Sequence, residues 1–287
     1  MRGGQGAGYV MGRIGGFSVL LGYTAVSLLP LYLMGVSSLS HLGTHFDLED
    51  LDWVPRDWAW ENYSGFWALT QGTAATWFAN SALIAVVPTV FNLVFSAMAG
   101  YALAKIDFPG RMLIFWTIIA VLAIPAFVTL IPLYQMMFRF AWFDTYFALI
   151  VPRMAGLAGI FLFKQFMSTL PTDIMEAARM DGASEWSIFW RIVWPMAQPV
   201  LAVMFLLDFT AAWSDYFWPY LVTNSRGLFT IQVGLISLIG VDQGFVRQQD
   251  YGVIMAGAAL ASLPVIVLFL GLQRFFVKGL TIGAVKG

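Results

Sequence analysis

Residues 176–199 read EAARMDGASEWSIFWRIVWPMAQP, a stretch carrying both charge signs between apolar runs of membrane length. Asp173, three residues before Glu176, predicts a capping box, with the Glu176 carboxylate reaching back to a free backbone N–H. Asp181-Gly182 supplies a break, because Gly182 can take the left-handed geometry that closes a helix. Ser184 can cap a second helix toward Trp194, and Pro195 is expected to stop it. The local signals therefore give helix, tight turn, helix. Ala177, Ala178 and Gly182 are small enough for another surface to approach the backbone closely. Trp186, Phe189, Trp190 and Val193 recur at helical spacing and would bury one face, against the membrane bundle or a partner.

The surroundings of this insert are lipid-like. The chain of 287 residues is 60% hydrophobic and 11% charged, well below the roughly 25% charged residues of soluble domains. A bilayer core needs about 20 apolar residues in a helix. Six windows qualify, at about residues 14–36, 77–104, 112–138, 145–168, 198–222 and 252–277. Backbone groups in lipid must find partners within their own segment, so the spans are helices. Pro30, Pro88, Pro125, Pro132 and Pro264 fall inside these windows, and each removes a helical donor and favours a kink. The expectation is an all-α polytopic membrane protein, one transmembrane domain over residues 1–287 and about six transmembrane helices, with an exposed loop at 171–199.

Charge sets the orientation. With both termini inside, Arg2, Arg13, Lys105, Arg111, Lys164, Arg179, Arg191, Arg274, Lys278 and Lys286 face inward, ten against the outward four, Arg56, Arg139, Arg226 and Arg247. The positive-inside rule then puts residues 176–199 in the cytoplasm and residues 37–76 and 224–250 outside. The outer segment 37–76 is acidic, with Asp47, Glu49, Asp50, Asp52, Asp57 and Glu61, and its Trp53, Trp58, Trp60 and Trp67 suit a membrane interface. The basic, Gly-rich start leads into an apolar run longer than a signal-peptide core, which predicts a retained first span without a cleaved leader. A net charge of −1 gives no sign of a nucleic-acid partner, and the absence of cysteine excludes disulfides and thiolate metal sites. His41 and His45 stand four apart beside Gly43, a loop context that makes a weak metal signal, and no metal site is expected. Asn62-Tyr63-Ser64 matches a glycosylation sequon.

The insert resembles the EAA loop of permease subunits in ATP-driven importers, which reads EAA, three residues, G, nine residues, I, two residues, P. Glu176, Ala177, Ala178, Gly182, Ile192 and Pro195 match that spacing, and Asp181, Ala183 and Pro199 add the preferences of the sugar-importer branch. Trp194 replaces the usual Leu before the first proline. The resemblance extends to FLFKQFMSTLP at 161–171, WSDYFWPY at 213–220 and GLTIGAVKG at 279–287, so nearly the whole chain looks like one carbohydrate-uptake ABC importer permease, related to the smaller permease of the maltose transporter. The resemblance implies a type I ABC importer permease fold in a prokaryotic plasma (inner) membrane. It also implies a second permease subunit, a pair of ATP-binding subunits and an extracytoplasmic substrate-binding protein. Segment 171–199 and tail 279–287 would meet the ATPase, and segment 224–250 the binding protein. No GxxxxGK[ST] loop occurs, so the chain is expected to be no enzyme and to bind no cofactor, ATP and Mg²⁺ being used by the partner ATPase.

A sugar path needs hydrogen-bonding groups beside flat apolar faces. Trp213, Ser214, Asp215, Tyr216, Trp218 and Tyr220 supply both near the fifth span, although an interface belt would explain Trp218 and Tyr220 equally well, and Ser214 replaces the family's usual Asn. Arg153 and Asp208 lie inside spans, where ionisable groups are functional candidates. They either pair with each other or face the substrate, and Arg153 would suit an anion. The expected cargo is a sugar or oligosaccharide, with glycerol-3-phosphate or a related phosphorylated polyol as the alternative. An ion-coupled secondary transporter would show inverted repeats and paired mid-membrane carboxylates, and a membrane enzyme would show clustered His, Asp or Glu; neither pattern is visible.

Overall fold

The computed structural model describes residues 4–42, 53–55, 57–239 and 250–284, and among these every regular element is helical. In order they are α1 (Gly4–Ser38), α2 (Glu61–Leu69), α3 (Thr73–Lys105), α4 (Arg111–Leu122), α5 (Ala126–Arg139), α6 (Tyr146–Ile150), α7 (Leu157–Ser168), α8 (Asp173–Met180), α9 (Glu185–Ile188), α10 (Trp194–Met196), α11 (Gln198–Trp213), α12 (Phe217–Val222), α13 (Ile231–Ile239) and α14 (Tyr251–Ala284). Tight 3-10 turns occupy Val151–Arg153 and Arg226–Leu228, and a π turn occupies Phe189–Val193. Among the described residues four helical segments are long and apolar enough to cross a bilayer, and six if each bent pair counts as one span. His45, Asp47, Glu49, Asp50, Asp52 and Arg56, residues 240–249 of the second outer segment and residues 285–287 of the tail lie outside the described residues.

Three expected spans are broken, the one over 145–168 by the Val151–Arg153 turn and the non-helical residues 154–156 between α6 and α7. Over 112–138, α4 and α5 meet at a 96° bend. Pro125 sits there with ψ 133°, outside helical geometry; it offers no N–H to continue the α4 ladder, and its ring disfavours the α region at the preceding Ile124. Over 198–222, α11 ends at Trp213 and a separate α12 starts at Phe217. A further 77° bend at Ala197 divides residues 185–196 from α11. Pro195 therefore does not stop the helix where expected. It lies one residue before the end of the continuous helical run 185–196, whereas Pro199 occupies the first turn of α11, where a missing N–H costs nothing.

The chain divides into two compact units, Met1–Gly72 with Leu235–Ser262, and Thr73–Gly234 with Leu263–Gly287. In the first, Asn62 is buried and donates to Ser38 O (3.1 Å) and Ser40 O (3.0 Å), which leaves its amide engaged and the sequon without an accessible acceptor. Ile14, Phe17, Leu20, Leu21 and Tyr23 of α1 are exposed, as a lipid-solvated helix requires. His41 lies 3.4 Å from Glu61.

The second unit is built on α3, which packs along α7 and α11. Gly100 allows a close approach of α7: a Cβ there would stand 2.6 Å from Phe163 Cβ and 2.8 Å from the Lys164 backbone nitrogen. Small residues at such crossings let helices in lipid gain dispersion and backbone contact. At one end of α3, Trp77 Nε1 donates to Arg226 O (3.2 Å), Asn80 Nδ2 to Gly227 O (2.8 Å) and Phe229 O (3.0 Å), and Ser81 Oγ accepts from Ile231 N (2.8 Å). The opposite end carries residues 171–199.

Candidate functional site

Helix α8 opens differently from the expected capping box. Thr172 is its N-cap without a side-chain bond, and Asp173 is the first helical residue. Asp173 and Glu176 thus both lie in the first turn, where carboxylates face the positive end of the helix dipole. The C-terminus forms as the sequence predicts. Gly182 has φ +81°, its N–H reaches Arg179 O (3.0 Å), and Ala183 N–H reaches Ala178 O (2.9 Å), the paired bonds of a Schellman turn. Ser184 Oγ then accepts from Ser187 N (3.3 Å) and caps α9.

Glu176, Ala177, Asp181, Gly182 and Pro195 are exposed, and Met180 protrudes at 89% exposure. Ala178, Ala183 and Ile192 are half-buried. Of the four aromatic-face residues, Phe189 and Val193 enter a core with Tyr101, Phe163, Met167 and Met175. Trp190 packs against this core, its ring 4.9 Å from Trp194. Trp186 departs from the expected face. It is 60% exposed, at the rim of an open cleft lined by Met98, Tyr101, Ala102 and Ile106.

Four side chains outside the sequence motif hold this loop. Lys105 Nζ donates to Leu170 O (2.6 Å) and Thr172 Oγ1 (3.1 Å). Arg179 donates from Nε to Glu185 Oε1 (2.6 Å), and from Nη2 to Glu185 Oε2 (3.3 Å) and Lys105 O (3.4 Å). Tyr101 Oη donates to Glu185 Oε2 (2.5 Å). The available sequence signal was Arg179 and Glu185 flanking Gly182; their partners on α3 had none.

The in-span charges form a second site. Arg153 lies in the 3-10 turn before α7 and is ion-paired with Asp215, not with Asp208. Asp215 Oδ1 also accepts from Phe217 N (3.1 Å) and Trp218 N (3.4 Å), so the start of α12 aims this carboxylate back at the arginine. Asp208 Oδ2 accepts from Asn92 Nδ2 (2.7 Å), and Asn92 Oδ1 accepts from Ser96 Oγ (2.9 Å) and Gly156 N (2.6 Å). Thr89, Asn92, Arg153, Gly156 and Asp208 line a cleft of about 190 Å³. Trp213 and Trp218 are buried, the first stacked on Phe209 at 5.6 Å and the second donating from Nε1 to Ala148 O (2.9 Å). Ser214 is exposed at the end of α11, and Tyr216 stacks on Tyr220 at 5.1 Å.

Residues 92–282 match the family model of the binding-protein-dependent transport system inner membrane component. The chain is 39% identical over 212 residues to the arabinooligosaccharides transport system permease protein AraQ of Halalkalibacterium halodurans, covering 74% of each chain. Against AraQ of Bacillus subtilis it is 34% identical over 253 residues, 88% of this chain and 85% of the relative. Against the sn-glycerol-3-phosphate transport system permease protein UgpE of Pectobacterium atrosepticum it is 34% identical over 266 residues, 91% and 93%. A crystal structure of a bacterial ABC transporter involved in the import of the acidic polysaccharide alginate contains a chain that superposes with a TM-score of 0.80 at 25% identity, covering 94% of this chain and 98% of that one. The protein thus belongs to the binding-protein-dependent inner membrane components, the permease subunits of ABC importers.

Proposed function

We propose that this chain forms half of a translocation path for a neutral oligosaccharide. It would work beside a second permease subunit, a pair of ATP-binding subunits that use ATP and Mg²⁺, and an extracytoplasmic substrate-binding protein. Both termini and residues 171–199 face the cytoplasm in this reading, supported by the excess of Lys and Arg in the inward segments. The loop offers exposed Glu176, Ala177, Asp181 and Gly182 to the ATPase. Closure of the ATPase pair would draw two such loops together and turn the spans from inward-open to outward-open.

The observation that carries the cargo class is the charge balance of the cleft. Arg153 is neutralised by Asp215, and Asp208 adds a carboxylate to the same cleft. A phosphorylated polyol would bring a second anion to Asp208, and like unit charges about 5 Å apart repel by about 3 kcal/mol at an effective dielectric near 20. Sugar hydroxyls instead can donate to the Asp208 carboxylate and use the Thr89 and Asn92 side chains beside it. The AraQ relatives, at 39% and 34% identity, support this reading, whereas the UgpE relative, at 34%, favours glycerol-3-phosphate. The test is uptake by the complete complex in proteoliposomes, supplied with binding protein and either arabinotriose or sn-glycerol-3-phosphate. ATP-dependent arabinotriose uptake is expected; uptake of sn-glycerol-3-phosphate in its place would transfer the reading to the phosphorylated polyol.

A further inference from the structure

The loop 171–199 is fastened to one helix, α3, on both sides of α8. Before α8, Lys105 Nζ holds Leu170 O and Thr172 Oγ1. After α8, Arg179 reaches Lys105 O, and Tyr101 holds Glu185, which is itself held by Arg179. Tyr101 and Lys105 stand four apart and share one helix face. The Gly182 turn is what lets Arg179 and Glu185, six residues apart, meet. With side chains 31% and 43% exposed, the Arg179–Glu185 pair contributes little to stability as an isolated surface ion pair. Its bidentate geometry and third partner, Tyr101, fix direction instead. The same α3 carries Asn92 in the polar cleft and, at its other end, holds residues 226–231.

We propose that Tyr101, Lys105, Arg179 and Glu185 are positioning residues that clamp the coupling loop to α3, so that displacement of the loop moves α3 and, with it, Asn92 at the cleft. This rests on residues 171–199 being the ATPase-coupling element. The rival role for these charges is direct contact with the ATPase, and Tyr101→Phe separates the two, because it cuts the link from α3 to Glu185 and leaves both charges in place.

The experiment compares wild type, Arg179→Glu, Glu185→Arg and the double exchange in the complete reconstituted complex. It measures co-purification of the ATP-binding subunits and arabinotriose transported per ATP hydrolysed. Each single variant is expected to lower that ratio by about fivefold or more, and the double exchange to recover only part of it, because a carboxylate at 179 cannot donate to Lys105 O and a guanidinium at 185 cannot accept from Tyr101. Single variants with the wild-type ratio would overturn the clamp, as would a double exchange with the full wild-type ratio, since it lacks the links from residues 179 and 185 to α3. Where a charge reversal blocks assembly, Tyr101→Phe takes over the test. It removes one hydroxyl, and a ratio equal to wild type would equally overturn the proposal. Lys105→Arg should retain function that Lys105→Met loses, and equal behaviour of the two would count against it. A wild-type complex without ATP-dependent arabinotriose uptake would refute the oligosaccharide reading itself and is distinguishable from every variant result.

Discussion

At the scale of single residues, the in-span charges are set by their partners. Removing one member of the Arg153–Asp215 pair leaves the other desolvated without compensation, whereas removing both is milder. Asp215→Asn should therefore lower stability by about 1–3 kcal/mol, and Arg153→Gln added to it should recover part of the loss. Thermal unfolding of the detergent-solubilised protein checks this, and additive losses would contradict it. Asp144, between α5 and α6, is a second anchored carboxylate. Burial alone would raise its pKa, but hydrogen bonds from the Ser225 hydroxyl and the Ser225 and Asn224 amides outweigh it and hold the group below the ordinary carboxylate range. A depressed folded pKa contributes order above the unfolded value, near 4, that is lost as pH falls through the folded one. Protection of the Asn224 and Ser225 amides from hydrogen exchange, corrected for intrinsic rates, should decline over that acidic window and be low throughout in Asp144→Ala, which has no side-chain acceptor. The sequence exposed Arg153 and Asp208 as costly in-span charges. It did not reveal that Arg153 chooses Asp215, because that choice depends on how the chain turns at residues 214–216 after α11 ends.

Among the elements, two glycines decide what can pack. Leu at Gly100 would meet the Lys164 backbone, which cannot rotate away, so α3 and α7 must part; a loss of about 1–3 kcal/mol is expected, and an unchanged unfolding midpoint would contradict this crossing. Gly182→Val forces a β-branched residue into φ +81°, a left-handed geometry costing roughly 1–2 kcal/mol. This should weaken co-purification of the ATP-binding subunits while membrane insertion persists. The turn at 181–183 and the Ser184 cap were legible because both depend on neighbours in the chain. The 96° bend between α4 and α5 was not: a hydropathy window sees residues 112–138 as continuous, and Pro125 marks where a helix can break without giving the angle. The outward position of Trp186 was equally hidden, since helical spacing extends a face further than the core beneath it does.

For the whole molecule, the lipid-solvated character follows from composition, and the family follows from one loop whose spacing survives in the folded chain as an exposed turn held on a packed base. The exposed Glu176 is where that loop would pass force from the ATPase to the spans. The most direct test measures uptake together with ATP hydrolysis in proteoliposomes containing the complete complex, for wild type and Glu176→Lys. Coupling through this loop requires hydrolysis to continue in the variant while sugar transported per ATP falls about tenfold, equivalent to about 1.4 kcal/mol of lost coupling. A Glu176→Lys complex that assembles and transports as much sugar per ATP as wild type would contradict it.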